Sequence, residues 1–148
     1  MKILIVDDKA INRRAGKRQL EAIGHEVTAT SEYCEAIRLA KDGQFDAAIL
    51  DLLMPAEAET LGPAAIAEHL GKEEGFGYPM IMAMALAGVK RIVMATDTNH
   101  HNHPMSATVD WFHGRVIRVE DSLVLVMHIG TKDGAKDWGQ ALERLGAL

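Results

Sequence analysis

The chain has 148 residues, 48% of them apolar and 25% charged, with a formal net charge of −5. One domain's length with enough apolar content for a core follows, and the acidic balance argues against a nucleic-acid surface, which needs a concentrated basic face. A single cysteine, Cys34, excludes an internal disulfide; no apolar run spans a membrane, no signal peptide is visible, and a cytoplasmic location is expected.

Lys2–Val6 is short, rich in β-branched residues and without alternation, so it predicts a buried strand. From Lys9 to Ile23 the pattern turns helical, with Gly16, Leu20 and Ile23 on one face and Gly24 closing it. Arg13, Arg14, Lys17 and Arg18 form the opposite, basic face. Glu26–Thr30 predicts a second strand. Ser31 is placed to cap a helix whose Tyr33, Ala36, Ile37 and Ala40 recur at helical spacing, with Cys34 among its core neighbours. Asp42-Gly43 ends that helix, and Phe45–Leu50 is the third strand. Pro63 and Pro79 each open a helix, running to Leu70 and Leu86, across the glycine-rich link Gly71–Tyr78. The methionines Met80, Met82 and Met84 read as core filler. Arg91–Ala95 predicts a fourth strand that ends at Thr96. Met105, Val109 and Phe112 mark another helix. Arg115–Val119 and Leu123–His128, around Glu120-Asp121-Ser122, suit an added hairpin. Ala135, Trp138, Leu142 and Leu145 make the apolar face of a closing helix.

Strands alternating with helices imply an α/β fold: a doubly wound parallel sheet of about five strands with helices on both faces. An extra helix stands between the third and fourth strands. The expected organisation is one domain over 1–148 with no output domain. In such sheets the binding crevice lies beyond the carboxyl ends of the strands. Asp7, Asp8 and Asp51 all fall there. Three converging carboxylates repel one another unless a hard divalent cation such as magnesium sits between them.

Residues 1–55 resemble the receiver domain of two-component response regulators, the CheY-like fold, through ILIVDD, EAIRLAKDGQFDAAILDLLMP and the distance between them. That resemblance implies that Asp51 is the phosphoacceptor. It implies that Asp8 ligates magnesium directly, that Asp7 acts through a bound water, and that the Leu53 carbonyl completes the protein ligands. A sensor histidine kinase or phosphotransfer protein would supply the phosphoryl group, with the signal passed on by protein contacts to a downstream partner. No nucleic acid or membrane partner is expected, and a homodimer is a further option. The basic face of the first helix is either plainly solvated or the docking face for the phosphotransfer partner.

The second half departs from the family pattern. Thr96 resembles the hydroxyl residue that meets the phosphoryl group, but it lies 45 positions beyond Asp51, a spacing longer by about one short helix. The Lys-Pro dipeptide expected after LVLVMHI is absent. Lys132 is the first candidate to replace that lysine, with Lys136 and His128 behind it. Lys136 is expected in or beside the last helix, facing solvent. His100, His101 and His103, beside Asp97, form either a second metal site, a pH-sensing overhang on the acidic pocket or a plain solvated loop. Two alternatives to phosphorylation therefore stand: a constitutive interaction or dimerisation module, and a small metal-dependent hydrolase or phosphatase using the acidic pocket and the histidine loop.

Overall fold

A computed structural model describes residues 1–99 and 101–146. Its main sheet has six strands: β1 (Lys2–Val6), β2 (Glu26–Thr30), β3 (Ala47–Leu50), β6 (Arg91–Thr96), β7 (Val116–Val119) and β8 (Ser122–His128). Their order is β2-β1-β3-β6-β8-β7. The first five run parallel, and β7 pairs antiparallel with β8 at the edge. The doubly wound sheet and the added hairpin both match the reading of the chain.

Alternation within the buried strands supplies two cores. Leu4, Val6, Ala48, Leu50, Ile92 and Met94 face one side, against α2 (Tyr33–Gly43) and α4 (Gly77–Leu86). Ile3, Ile5, Ala47, Ile49, Val93 and Ala95 face the other, against α1 (Ala10–Glu21) and α6 (Trp138–Gly146). A strand with apolar residues on both faces has to be covered twice, which is why continuous apolar runs mark central parallel strands. Gly16 lets α1 close on this second core, since a Cβ there would stand 2.7 Å from Ile5 and 3.1 Å from the Trp138 ring.

The surplus length before Thr96 becomes α3 (Pro63–His69), preceded by a short 3₁₀ turn (Ala58–Thr60) and clasped by the two-residue strands β4 (Met54–Pro55) and β5 (Glu73–Glu74). The helix expected around Met105 is only α5 (Pro104–Ala107) followed by a 3₁₀ turn (Thr108–Trp111).

Three local expectations are corrected. Ile23 lies past the end of α1 and is exposed. Ser31 makes no capping bond among the described residues: the N–H groups of Tyr33 and Cys34 are met by the Glu57 carboxylate, at 2.5 and 3.2 Å. Ala135 is not helical. It lies with Lys136 in β10 (Ala135–Lys136), paired with β9 (Thr131–Lys132) across an Asp133-Gly134 turn in which both residues have positive φ, 53° and 77°. That is the backbone a tight hairpin demands and Asp-Gly supplies readily. No helix among the described residues is long and apolar enough to cross a membrane.

Candidate functional site

Strands β1 and β3 are neighbours whose chains leave toward opposite halves of the sheet, β1 to β2 and β3 to β6. The crevice at their carboxyl ends is where an open α/β sheet presents ligand groups. Asp7 and Asp8 follow β1, and Asp51 follows β3. One carboxylate oxygen from each of the three lies within 4.8 Å of the others. Asp7 and Asp51 are buried and Asp8 is half-buried.

A fourth charged group joins them. The Lys136 side chain is fully buried, and its ammonium donates to Asp7 Oδ2 at 2.7 Å and pairs with Asp51 Oδ1 at 2.8 Å. Lys132 is exposed in the same hairpin. The expectation that Lys132 brings an amine to the carboxylates, with Lys136 facing solvent, is therefore corrected. Reversal at Asp133-Gly134 sends β10 inward, and the Lys136 N–H donates to Asn12 Oδ1 at 3.0 Å. His128 does not occupy the place either; its Nε2 meets Asp110 Oδ1 at 3.0 Å.

Asn12 is a hub that the sequence did not advertise. Its amide donates to both Asp7 oxygens at 3.1 Å, and its backbone carbonyl accepts from Trp138 Nε1 at 2.9 Å. Arg13, assigned to a solvated or docking face, is instead structural. Its Nη1 donates to the Asp7 and Asp8 carbonyls at 2.7 Å each, holding the turn that carries both acids.

Burial raises the Asp51 carboxyl to about 6 and Asp7 adds to the rise, while Lys136 opposes it. Burial would lower the Lys136 ammonium, but Asp51 and Asp7 outweigh it and hold the group above its ordinary value, so it stays charged. Asp8 is raised by burial and by Asp7.

The donor set fits a hard cation. Asp7 already accepts from Lys9 N–H, Asn12 and Lys136. Asp8 Oδ1, by contrast, is buried without a hydrogen-bond partner among the described residues. Leu53 is buried in the loop directly after Asp51. That loop is packed from below by Gly77, which donates to the Leu52 carbonyl at 2.9 Å; a Cβ there would stand 2.7 Å from the Asp51 carbonyl.

Thr96 ends β6, two positions past Met94, the register partner of Leu50. It is buried, and its hydroxyl accepts from Thr98 N–H at 3.2 Å. Asp97, which the sequence pattern places only beside the histidines, also borders the pocket: its buried Oδ1 stands 3.9 Å from both Lys136 and Lys9. The histidines do not join this pocket among the described residues. His101 is exposed, and its backbone N–H is met by Asn99. His103 Nδ1 accepts from Met105 N–H, capping α5. His100 lies outside the described residues. The Cys34 thiol is pushed up to about 12 by burial and by Glu57, so it is held protonated.

A sequence model of the response regulator receiver domain matches residues 3–102. The chain belongs to the response-regulator receiver family. Among relatives of this receiver, the probable transcriptional regulator ycf27 of Porphyridium aerugineum is 34% identical over 88 residues, 60% of this chain and 34% of that protein. The probable histidine kinase 1 of Oryza sativa subsp. indica is 37% identical over 54 residues, 36% of this chain and 6% of that protein. The receiver thus spans about a third of the first relative's length and far less of the second's. Among solved structures, a CheY-like receiver domain protein from Methanospirillum hungatei superposes with TM-score 0.59 at 19% identity, covering 99% of this chain and 94% of that one. Response regulator TrrA from Thermotoga maritima, in complex with Mg(2+)-BeF, superposes with TM-score 0.58 at 20% identity, covering 99% and 98%. Both share the receiver fold.

Proposed function

We propose that this receiver accepts a phosphoryl group on Asp51 in a magnesium-dependent way, from a sensor histidine kinase or phosphotransfer protein, and passes the signal on by protein contacts. The observation that carries this reading is the buried Lys136 ammonium bridging Asp7 and Asp51. A structural ion pair needs one carboxylate. Two around one ammonium, with Asp8 beside them, leave net negative charge that a cation would offset.

A bound magnesium would neutralise the phosphoryl oxygens, held by Asp8, Asp51 and the Leu53 carbonyl, with Asp7 acting indirectly. In the transfer, an Asp51 oxygen forms a bond to phosphorus. The donor's P–N bond to a histidine breaks, and its electron pair stays with the imidazole. Lys136 then pairs with the charge gathered on the phosphoryl oxygens, and Thr96, whose hydroxyl oxygen only accepts from Thr98 N–H, offers its O–H as a donor. Lys136 also removes the reason to favour a constitutive module, which rested on a missing lysine. The hydrolase reading rested on histidines reaching the pocket, and His103 is occupied as a cap.

Intact-mass analysis after incubation with acetyl phosphate tests this. One added phosphoryl group that requires magnesium and is abolished by Asp51→Asn is expected. A protein left unmodified at high donor and high magnesium would overturn the reading.

A further inference from the structure

Lys132, displaced from the carboxylate pocket, takes part in a different arrangement. A cleft of about 370 Å³ lies between α1 and the β9–β10 hairpin, and Arg14, Arg18, Gln19, Lys132 and Asp133 supply its polar walls. Ile11, Ala15 and Ala135 supply an apolar part, with Ile11 48% exposed. Among the described residues, Arg14, Arg18 and Lys132 make no ion pair. Lys17, on the same helix but outside the cleft, is paired with Glu21 at 3.7 Å. Three unpaired cations facing one concavity, against a single carboxylate, are unusual on a chain whose net charge is −5. Charge spread for solubility would not converge on one cleft.

We propose that this cleft binds a small organic diphosphate, its anionic end between Arg14, Arg18 and Lys132 and its organic body on Ile11 and Ala15. The guanidinium fork suits phosphoryl oxygens in bidentate fashion, and a lysine on the facing hairpin closes the third side. A cleft of that volume suits a small molecule, and the apolar floor favours one that carries more than phosphate alone. Binding would have a consequence at a distance. Ala135 lines the cleft, and the next residue on the same strand is Lys136, hydrogen-bonded to Asn12 of α1. A ligand that ties Lys132 to α1 therefore also restrains the strand that carries the buried ammonium.

The test is calorimetric titration of the full chain with ADP and with inorganic pyrophosphate, in EDTA so that the carboxylate pocket holds no metal. Amide shift mapping by NMR runs alongside. One saturable site is expected, with ADP the tighter ligand, shifts confined to α1 and residues 131–136, and slower hydrogen exchange at the Lys136 amide. Arg18→Gln or Lys132→Gln should each weaken binding roughly tenfold, and Lys17→Gln should not. All three side chains are exposed, so loss of folding would not mimic the result. Absence of saturable binding, equal weakening by Lys17→Gln, or shifts centred on Asp8 and Lys9 would each overturn the proposal.

Discussion

Replacing Lys136 with methionine keeps the length and apolar reach of the side chain and removes its charge. In the native protein that ammonium lies 2.7 Å from Asp7 and 2.8 Å from Asp51, and all three side chains are at most 4% exposed. Breaking a buried pair by removing one partner costs about 3–5 kcal/mol, because the remaining charge stays desolvated. Here two carboxylates are left, with Asn12 and Lys9 N–H still serving Asp7, so the upper part of that range is expected at pH 8. The pH dependence has a definite sign. Asp51 is raised in the folded protein from 3.8 to about 6, so the stability linked to its proton is fully present below 3.8 and is lost as pH rises through about 6. Lys136 is the group that opposes this rise; without it, burial and Asp7 push the carboxyl further up. The deficit of Lys136→Met should therefore be largest at pH 8 and shrink toward pH 5, where Asp51 takes up a proton. Urea unfolding in EDTA at both values measures this, with Lys132→Met as the control and a change within about 0.5 kcal/mol expected there. A loss below about 1 kcal/mol for Lys136→Met at pH 8, or an equal loss for Lys132→Met, would refute the reasoning.

Magnesium affinity should rise with pH through about 6, since cation and proton compete for Asp51; calorimetry at pH 5 and pH 8 reads it directly. Asp51→Asn should abolish saturable magnesium binding and, in EDTA at pH 7, leave the fold as stable as the wild type or more so, because it removes charge from an over-acidic cluster; thermal unfolding decides. Asn12→Ala strips a donor from Asp7 and the acceptor of Lys136 N–H, and should cost about 1–3 kcal/mol while weakening phosphorylation by acetyl phosphate. Gly77→Ala drives a Cβ against the Asp51 carbonyl and Leu52 Cα, both 2.7 Å away. It should cost about 1–3 kcal/mol by overpacking and shift the backbone resonances of Asp51 to Leu53.

Much of this protein is decided by local pattern. Lys2–Val6, Ala47–Leu50 and Arg91–Thr96 are apolar on both sides, and only a strand covered by helices on two faces can bury such a run. Once β1, β2 and β3 are linked through helices, the handedness of the crossovers leaves little choice in their order. Each carboxylate lies where its apolar run stops, which puts Asp7, Asp8 and Asp51 at one edge. The clustering of the three acids is therefore legible in the sequence alone.

What the pattern did not decide is which cation sits among those acids. Ala135, Trp138, Leu142 and Leu145 recur at helical spacing, and on that evidence Lys136 belongs to a solvated helix. Asp133-Gly134 carried the contrary signal of a tight hairpin, but nothing local says which way the hairpin points. Its direction is set by partners far away in the chain: Asn12, which receives the Lys136 N–H, and Asp7 and Asp51, which receive its ammonium. The same holds for Arg13, one cation in a run of four until the β1–α1 turn presents two carbonyls to it. It holds too for His103, whose ring serves a helix end rather than a metal. Strand and helix follow from periodicity because burial acts on each segment separately. The placement of a single charged side chain follows from the sum of desolvation and pairing at its destination, and that destination exists only once the chain has folded.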